Sequence, residues 1–561
     1  MNNVTLSKVE EIKNNSDFLA GQIANQLNNS YSFFEENEIQ LLKFHGTYQQ
    51  YNRDTATALK KQGKEKEFNF MIRTRIPGGV LTADQYIELN NLSEKFSNNS
   101  LRITTRQTFQ FHGILKNNLK NIIKSVSSIF LTTYGACGDV VRNVTTIAAP
   151  IQNKIYKKLR EDAKKISSYF LPKSSSYGQI WINGKKYEFS KKEPIYKKNY
   201  LPRKFKIGIT VYNDNSIDVL TNDIAIFLIH KNEKILGYNI AIGGGLGMTH
   251  NNPKTFPYLA KHLLFCEESD LIKILEEIVI IHRDFGDRTN RKHARLKYLV
   301  DEKGISWFKS KIEKNLKKEF SIPKNETLKV VDHLGWHQQG DGKWYIGIFI
   351  PSGRIIDKEN VKIKSGLLDI IKKFKPTISL STDQNIFLGN IEEKNKNLIE
   401  LILRKNLITN KISPVNRWFL ACPALPTCGL ALAEAERVRN ELIIKIDDVL
   451  SKYGLNNEIF SIRITGCPNG CARPYAGDIG IVGRSPNTYA LFSGGDFEGS
   501  RLSSKILDKI SYKDLIKALE QIFLLFKENK KEKESLGNFC NRIGPEKQLN
   551  KIKEVLKDNV K

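Results

Sequence analysis

"RITTRQTFQFHGI", residues 102–114, and "ISLSTDQNIFLGNI", residues 378–391, decide the fold. Each opens on an apolar strand, carries Ser/Thr-Thr-x-Gln (104–107 and 381–384), and closes on a second apolar run. Some thirty residues upstream of each lies another matching stretch: "FNFMIRTRIPGGVLT" (68–82) with Ile-Pro-Gly-Gly, and "KWYIGIFIPSGRI" (343–355) with Ile-Pro-Ser-Gly. The proline and glycine mark turns, and "ADQYIELNNLSEKF" (83–96) reads as a helix between the two strands of the first copy. A strand-helix-strand order that recurs at one spacing indicates a duplicated α+β unit split by an insertion.

Outward from the repeat, residues 1–60 read as a polar arm with short helices, and the first copy runs over 61–145. The insertion, 146–329, reads as a further α+β domain with the strand "RKFKIGITVYN", the turn "AIGGGLGMTH" and a basic helix "DRTNRKHARLKYL". The second copy runs over 330–415. The last segment, 416–561, holds four of the seven cysteines, then a helix, "GLALAEAERVRNELIIKIDDVL". Its apolar residues Leu432, Ala435, Val438, Leu442, Ile446 and Val449 follow steps of three and four. A strand, "DIGIVG", and a lysine-rich helical tail follow. A chain of 561 residues exceeds one ordinary core.

The N-terminus shows no apolar leader and no apolar run approaches the roughly 20 residues of a membrane span, so a cytoplasmic protein is expected. There, paired cysteines serve metals or redox chemistry more often than structural disulfides. The net charge of +28 invites a nucleic-acid reading. Lysine is abundant everywhere, and base-stacking aromatics do not interleave with the cations, so a solvated lysine surface accounts for the total better.

Cys422 and Cys428 form C-x5-C, and Cys467 and Cys471 form C-x3-C after a 38-residue gap. Structural zinc prefers pairs two to four apart, which only the second pair meets. Iron–sulfur clusters accept wider spacings, so a cluster is preferred over zinc and over buried inert thiols. Cys428 is expected at the start of the long helix, where free N–H groups favour a thiolate. The "PNG" turn is expected to aim amides at sulfur.

The cations have a pattern too, because residues two apart on a strand share a face. Arg73 pairs with Arg75; Arg102, Arg106, Gln110 and His112 form a second face; Lys204 and Lys206 form a third, with Arg142 nearby. Arginine on such faces suits carboxylates or oxyanions. The glycines of "GGGLG" are no dinucleotide fingerprint. With no flavin or nicotinamide motif, electrons are expected from another chain.

With these residues, "FHGTYQQYNRD", "RTRIPGGVLT", "RITTRQTFQFHGI", "YLPRKFK", "IGGGLG", "DRTNRKHARLKY", "CGLALAEAERV" and "TGCPNGC", nearly the whole chain resembles the sulfite/nitrite reductase family. The likeness is greatest to the hemoprotein (beta) subunits of the assimilatory NADPH-dependent enzymes. The resemblance implies an α+β fold of three domains with a duplicated ferredoxin-like half-domain pair. It implies a 4Fe–4S cluster on Cys422, Cys428, Cys467 and Cys471, and siroheme, whose iron shares Cys471. Arg73, Arg142, Lys204 and Lys206 would bind sulfite, and Arg102, Arg106, Gln110 and His112 would contact siroheme. The implied reaction is six-electron reduction of sulfite to sulfide in sulfate assimilation and cysteine biosynthesis. NADPH, FAD and FMN would act only through a flavoprotein (alpha) subunit. The alternative is a ferredoxin-dependent nitrite or sulfite reductase with the same cofactors. Cys137 and Gly138, beside Arg142, depart from the family's commoner pattern.

Overall fold

A computed structural model describes residues 5–174, 180–182, 185–187, 193–323 and 326–556. The duplicated units form two five-stranded sheets of the same order. The first runs Thr47–Tyr51, Phe68–Arg73, Phe109–Ile114, Leu101–Ile103, then Arg354–Ile355. The second runs Gly335–Gln338, Trp344–Ile348, Ile386–Ile391, Thr377–Leu380, then Val80–Leu81. The last strand of each sheet comes from the other copy. Arg354 pairs with Arg102, and Val80 pairs with Ser379, so each half lends its partner an edge. The Ile-Pro-Gly-Gly and Ile-Pro-Ser-Gly turns aim these strands across. Gly79 has φ +74°, and a Cβ there would lie 2.6 Å from Leu380 O. Gly353 repeats the arrangement at φ +69°, 2.4 Å from Ile103 O. Gln107 adds a buried tie, donating to Thr146 O and Leu380 O at 2.7 Å and accepting from Thr146 N at 2.9 Å. One apolar core fills both halves, from Phe70, Ile72 and Phe109 to Ile348, Ile378 and Ile386.

Ala83–Phe96 is helical as the sequence predicts, started by a capping box of Thr82 and Gln85. The N-terminal arm differs from expectation. Its strand Thr47–Tyr51 pairs along Phe68–Arg73, so the repeated sheet reaches back beyond residue 61.

The intervening segment carries a four-stranded sheet ordered Lys261–Cys266, Lys234–Ile242, Ile224–Lys231, Ile207–Thr210. The expected basic helix over 287–299 is largely a loop, with helix only from Leu296 to Lys303. Asp287 Oδ1 takes the amides of Thr289 and Asn290, a local arrangement that competes with helix. Arg291 and Arg295 are drawn to Asp139 and Asp223, and Arg288 pairs with Glu10.

The last sheet is ordered Phe419–Ala421, Ile462–Thr465, Ile479–Ser485, Thr488–Ser493, Ser504–Ser511, its first three strands parallel. Helices Arg439–Tyr453, Tyr512–Asn529 and Leu536–Leu556 pack with it around one core. The first of these was expected to begin near Cys428 but starts eleven residues later. The amides of Leu432 and Ala433 bond to Gly466 O, and this holds the chain in turns. Leu432 and Ala435 therefore lie before the helix. Among the described residues no helix is long and apolar enough to cross a membrane.

Candidate functional site

Both cysteine pairs grow from the ends of adjacent parallel strands. Cys422 follows Phe419–Ala421, Cys467 follows Ile462–Thr465 by two residues, and the pairing of Ala421 with Ile464 sets these ends side by side. Gly466 N donates to Cys422 Sγ at 3.3 Å. Only glycine fits there, since a Cβ would lie 2.5 Å from Ala433 O. Asn469 Nδ2 and the Asn469 amide face Cys467 Sγ, the former at 3.5 Å. The amides of Leu430 and Ala431 face Cys428. The expected donors to sulfur are thus present, but at Cys428 they come from a turn rather than a helix N-terminus.

Cys422 and Cys467 are buried, Cys428 is half-buried and Cys471 is exposed. Burial, then the neighbouring Cys471, pushes the Cys467 thiol up to about 12; the same two causes raise Cys422 well above its ordinary value. Cys422, Cys428 and Cys467, whose ionisation is opposed by burial and by neighbouring thiols, become thiolates readily only when a strongly cationic group is bound among them. Among the described residues no three His, Cys, Asp or Glu side chains gather tightly enough for a single ion. The donor set is all sulfur, and its C-x5-C and C-x3-C spacing suits a 4Fe–4S cluster better than one tetrahedral zinc.

A dense set of cations leads away from Cys471. Arg73, Arg142, Lys204, Lys206 and Arg106 lie within electrostatic reach of one another, joined by Arg203 and Arg295. Burial, then Arg295 and Arg203, brings the Lys204 ammonium down to about 7, and burial with Arg295 and Lys204 lowers Lys206 strongly. Among the described residues neither ammonium has a hydrogen-bond or ion-pair partner. Arg73 Nε and Arg106 Nε are buried without partners as well. Arg73 Nη1 meets Cys137 Sγ at 3.4 Å, and Arg142 Nε donates to Gly138 O at 2.8 Å. Arg73, Arg106, Arg142, Lys204 and Lys206, all at least half-buried and, among the described residues, without an ion-pair partner, fit a polyanion such as the eight-carboxylate siroheme together with a small oxyanion.

The expected single face of Arg102, Arg106, Gln110 and His112 is broken. Residues 104–108 form a turn, so two short strands replace one long one. Arg102 stays opposite Gln110, with His112 farther along that strand. Arg106, in the turn, reaches Asn222 Oδ1 at 2.5 Å, Ile207 O at 3.0 Å and Asn143 O. Arg102 donates to Ala421 O at 3.0 Å and pairs with Glu436 at 3.3 Å. Among the described residues, neither ring nitrogen of buried His112 has a partner. Arg75, placed with Arg73 by alternation, is instead a buried brace on Gly135 O, Val141 O and Ser167.

Two features at the site escaped the sequence reading. Met248 N donates to Pro468 O at 3.0 Å, and a Cβ on Gly247 would lie 3.0 Å from Asn469 O, so the "GGGLG" loop packs on the second cysteine turn. Lys297 pins that loop through Gly245 O and Gly247 O, at 3.0 and 2.8 Å. Arg53, from the N-terminal segment, caps the first cysteine turn at Cys428 O and Gly429 O, at 3.3 and 3.0 Å. The motif "FHGTYQQYNRD" contained Arg53, but nothing in its spacing tied it to cysteines 375 residues away.

The chain matches the family model "Nitrite and sulphite reductase 4Fe-4S domain" over residues 135–320 and 418–560. It matches "Nitrite/Sulfite reductase ferredoxin-like half domain" over 61–128 and 337–406. It is 40% identical to the "Sulfite reductase (NADPH) hemoprotein beta-component" of Staphylococcus carnosus, over 96% of both chains. It is also 40% identical to the "Sulfite reductase (ferredoxin)" of Synechococcus elongatus, over 96% of this chain and 90% of that one. The NirA protein of Mycobacterium tuberculosis shares the fold, with a TM-score of 0.80 and 22% identity over 97% of each chain.

Proposed function

The chain belongs to the nitrite and sulphite reductase family, and on that premise we propose that it reduces sulfite to sulfide with six electrons, in sulfate assimilation within the cytoplasm. The observation that carries this is the partnerless lysine pair, Lys204 and Lys206, among arginines within reach of the exposed Cys471.

Cys422, Cys428, Cys467 and Cys471 would hold the 4Fe–4S cluster, with Cys471, the one exposed sulfur, shared with siroheme. Bound there, the two groups supply single electrons and an iron site for the sulfur atom. The protein supplies charge and protons. Arg73, Arg142, Lys204 and Lys206 draw the sulfite dianion into a buried site where each charge–charge hydrogen bond is stronger than in water. Each oxygen that departs as water needs protons, and the Nζ atoms of Lys204 and Lys206 are the acids at hand. Arg106, in the turn between the two strands, and His112, with two unpartnered ring nitrogens, are the better candidates for holding cofactor carboxylates. Arg102 and Gln110 support that wall, with Arg102 already engaged by Glu436.

A flavoprotein partner that oxidises NADPH through FAD and FMN would deliver the electrons. Near-complete mutual coverage with a relative named as an NADPH enzyme's beta-component supports this. Equal identity to a ferredoxin-named relative keeps ferredoxin as the second reading of the donor. Turnover of the cofactor-loaded chain with reduced viologen, comparing kcat/KM for sulfite and nitrite, tests the substrate. Preference for sulfite is expected; preference for nitrite would overturn the reading.

A further inference from the structure

The two copies of the Ser/Thr-Thr-x-Gln turn differ in charge at their third position, Arg106 in the first and Asp383 in the second. Arg106 looks toward the cation set described above. Asp383 looks toward the second cysteine turn, where its Oδ1 accepts from Arg473 Nη2 at 2.8 Å. Arg473 lies two residues after Cys471 and holds a left-handed backbone, φ +58°, without being glycine. Its side chain is fixed at two further points: Nε donates to Asp218 Oδ2 at 2.5 Å, and Nη1 donates to Thr382 O at 3.2 Å. Asp218 also takes Arg463, at 2.6 and 3.3 Å. The two arginines and Asp218 are almost wholly buried, and two carboxylates balance two guanidinium groups. From the first copy, Thr105 Oγ1 donates to Cys471 O at 3.3 Å. Thr105 and Thr382 occupy the same place in the two turns, so the duplicated motif grips residues 471 and 473 from both halves.

We propose that this grip orients the Cys471 sulfur, which makes Arg473, Asp383 and Thr105 positioning residues for the thiolate; the proposal rests on the reading that Cys471 serves both bound groups. Three fixed points on one guanidinium define the backbone at 473, and the threonine bond defines the carbonyl at 471. The backbone that carries Sγ has little freedom left between them. A left-handed arginine costs about 1–2 kcal/mol of backbone energy, which a residue free to relax would shed. A buried ionic quartet is also a poor source of net stability, whereas it specifies one geometry well. The pseudo-symmetry gives the duplication a use beyond its core: one turn carries a cation toward the anion site, and the other carries a carboxylate toward the sulfur ligand's loop.

Asp383→Asn and Thr105→Val, each compared with Thr105→Ser, test the inference on the cofactor-loaded chain. Readouts are iron and siroheme content, the electron paramagnetic resonance spectrum without substrate, and kcat and KM separately. Asp383→Asn and Thr105→Val should keep their iron and siroheme, shift the resonance spectrum, and lower kcat by roughly 10–100-fold with KM nearly unchanged. Thr105→Ser should restore the wild-type spectrum. Should Asp383→Asn fail to fold, the threonine pair alone decides, because Thr105 is only half-buried at the turn. Spectra and kcat unchanged in Thr105→Val, or equally shifted in Thr105→Ser, would overturn the proposal. The spectral shift needs no substrate, so a chain that reduced nitrite rather than sulfite would defeat the functional reading and leave this one standing.

Discussion

Replacing Gly79 or Gly353 by alanine attacks the strand exchange between the halves, and Gly63 supplies a matched control. All three have nearly the same backbone, φ +74°, +69° and +67°. Moving an L-residue into that region costs about 1–2 kcal/mol, offset by about 0.4–1 kcal/mol because alanine also restricts the unfolded chain. Around Gly63 a new Cβ meets nothing within 4 Å, so Gly63→Ala should cost about 1 kcal/mol or less. At Gly79 the Cβ would sit 2.6 Å from Leu380 O and 2.9 Å from Gln107 Cβ; at Gly353 it would sit 2.4 Å from Ile103 O and 2.9 Å from Gln384 Cβ. These are backbone or stem atoms that cannot swing aside, so overpacking adds about 1–3 kcal/mol. Gly79→Ala and Gly353→Ala should each lose about 2–4 kcal/mol. Urea unfolding followed by tryptophan fluorescence reads this, since Trp336 and Trp344 lie in the second sheet. If all three variants shifted the midpoint alike, the crossed edge strands would not be under the constraint inferred here.

Other outcomes follow from the site. Cys422→Ser, Cys428→Ser or Cys467→Ser should lose iron and labile sulfide together, measured on the purified chain; retention of both would remove that residue from the ligand set. Lys204→Met or Lys206→Met should raise KM for sulfite by roughly 10–100-fold, the worth of one charge-assisted hydrogen bond of about 1.5–3 kcal/mol, with cofactor content unchanged. Asp478 is raised to about 6 by burial, against the amide and hydroxyl of Ser461 that favour its ionised form. A carboxyl protonated more readily in the fold than in the unfolded chain stabilises at low pH and loses that contribution as pH rises from about 4 to 6. The Asp478 contribution should therefore fall by about 3 kcal/mol across that window, so the wild type should lose roughly that much stability relative to Asp478→Asn between about pH 4 and 6; parallel pH profiles would refute the assignment.

Much of the architecture was legible because the repeat carries its own evidence. Two turns that differ at one residue, each followed by a matching strand, imposed the duplication, and the helix read over 83–96 forms there, opened by a capping box of Thr82 and Gln85 that the sequence reading did not use. The exchange of edge strands was not legible, because two-residue strands such as Val80–Leu81 have no periodicity to read. Periodicity also misled in two places. The helical spacing of Leu432 and Ala435 was genuine, but Gly466 O captures the amides at 432 and 433 and holds that stretch in turns. The alternation through 101–114 crossed a turn, so Arg106 was assigned to a face it leaves. At the site, the cysteines and the arginines announced themselves by rarity and chemistry. The supports did not: Arg53, Lys297 and the Asp218–Arg473–Asp383 ties join segments hundreds of residues apart or lie in loops, where pattern carries no distance information.

The central claim is that this chain carries sulfite through to sulfide on its own cofactors. Electron stoichiometry tests it most directly: reduced viologen oxidised per sulfide released, with the cofactor-loaded chain and limiting sulfite. Six electrons per sulfide, with no partly reduced sulfur product, is the predicted result. Dye oxidation without sulfide, or a ratio well above six with incompletely reduced products accumulating, would contradict it.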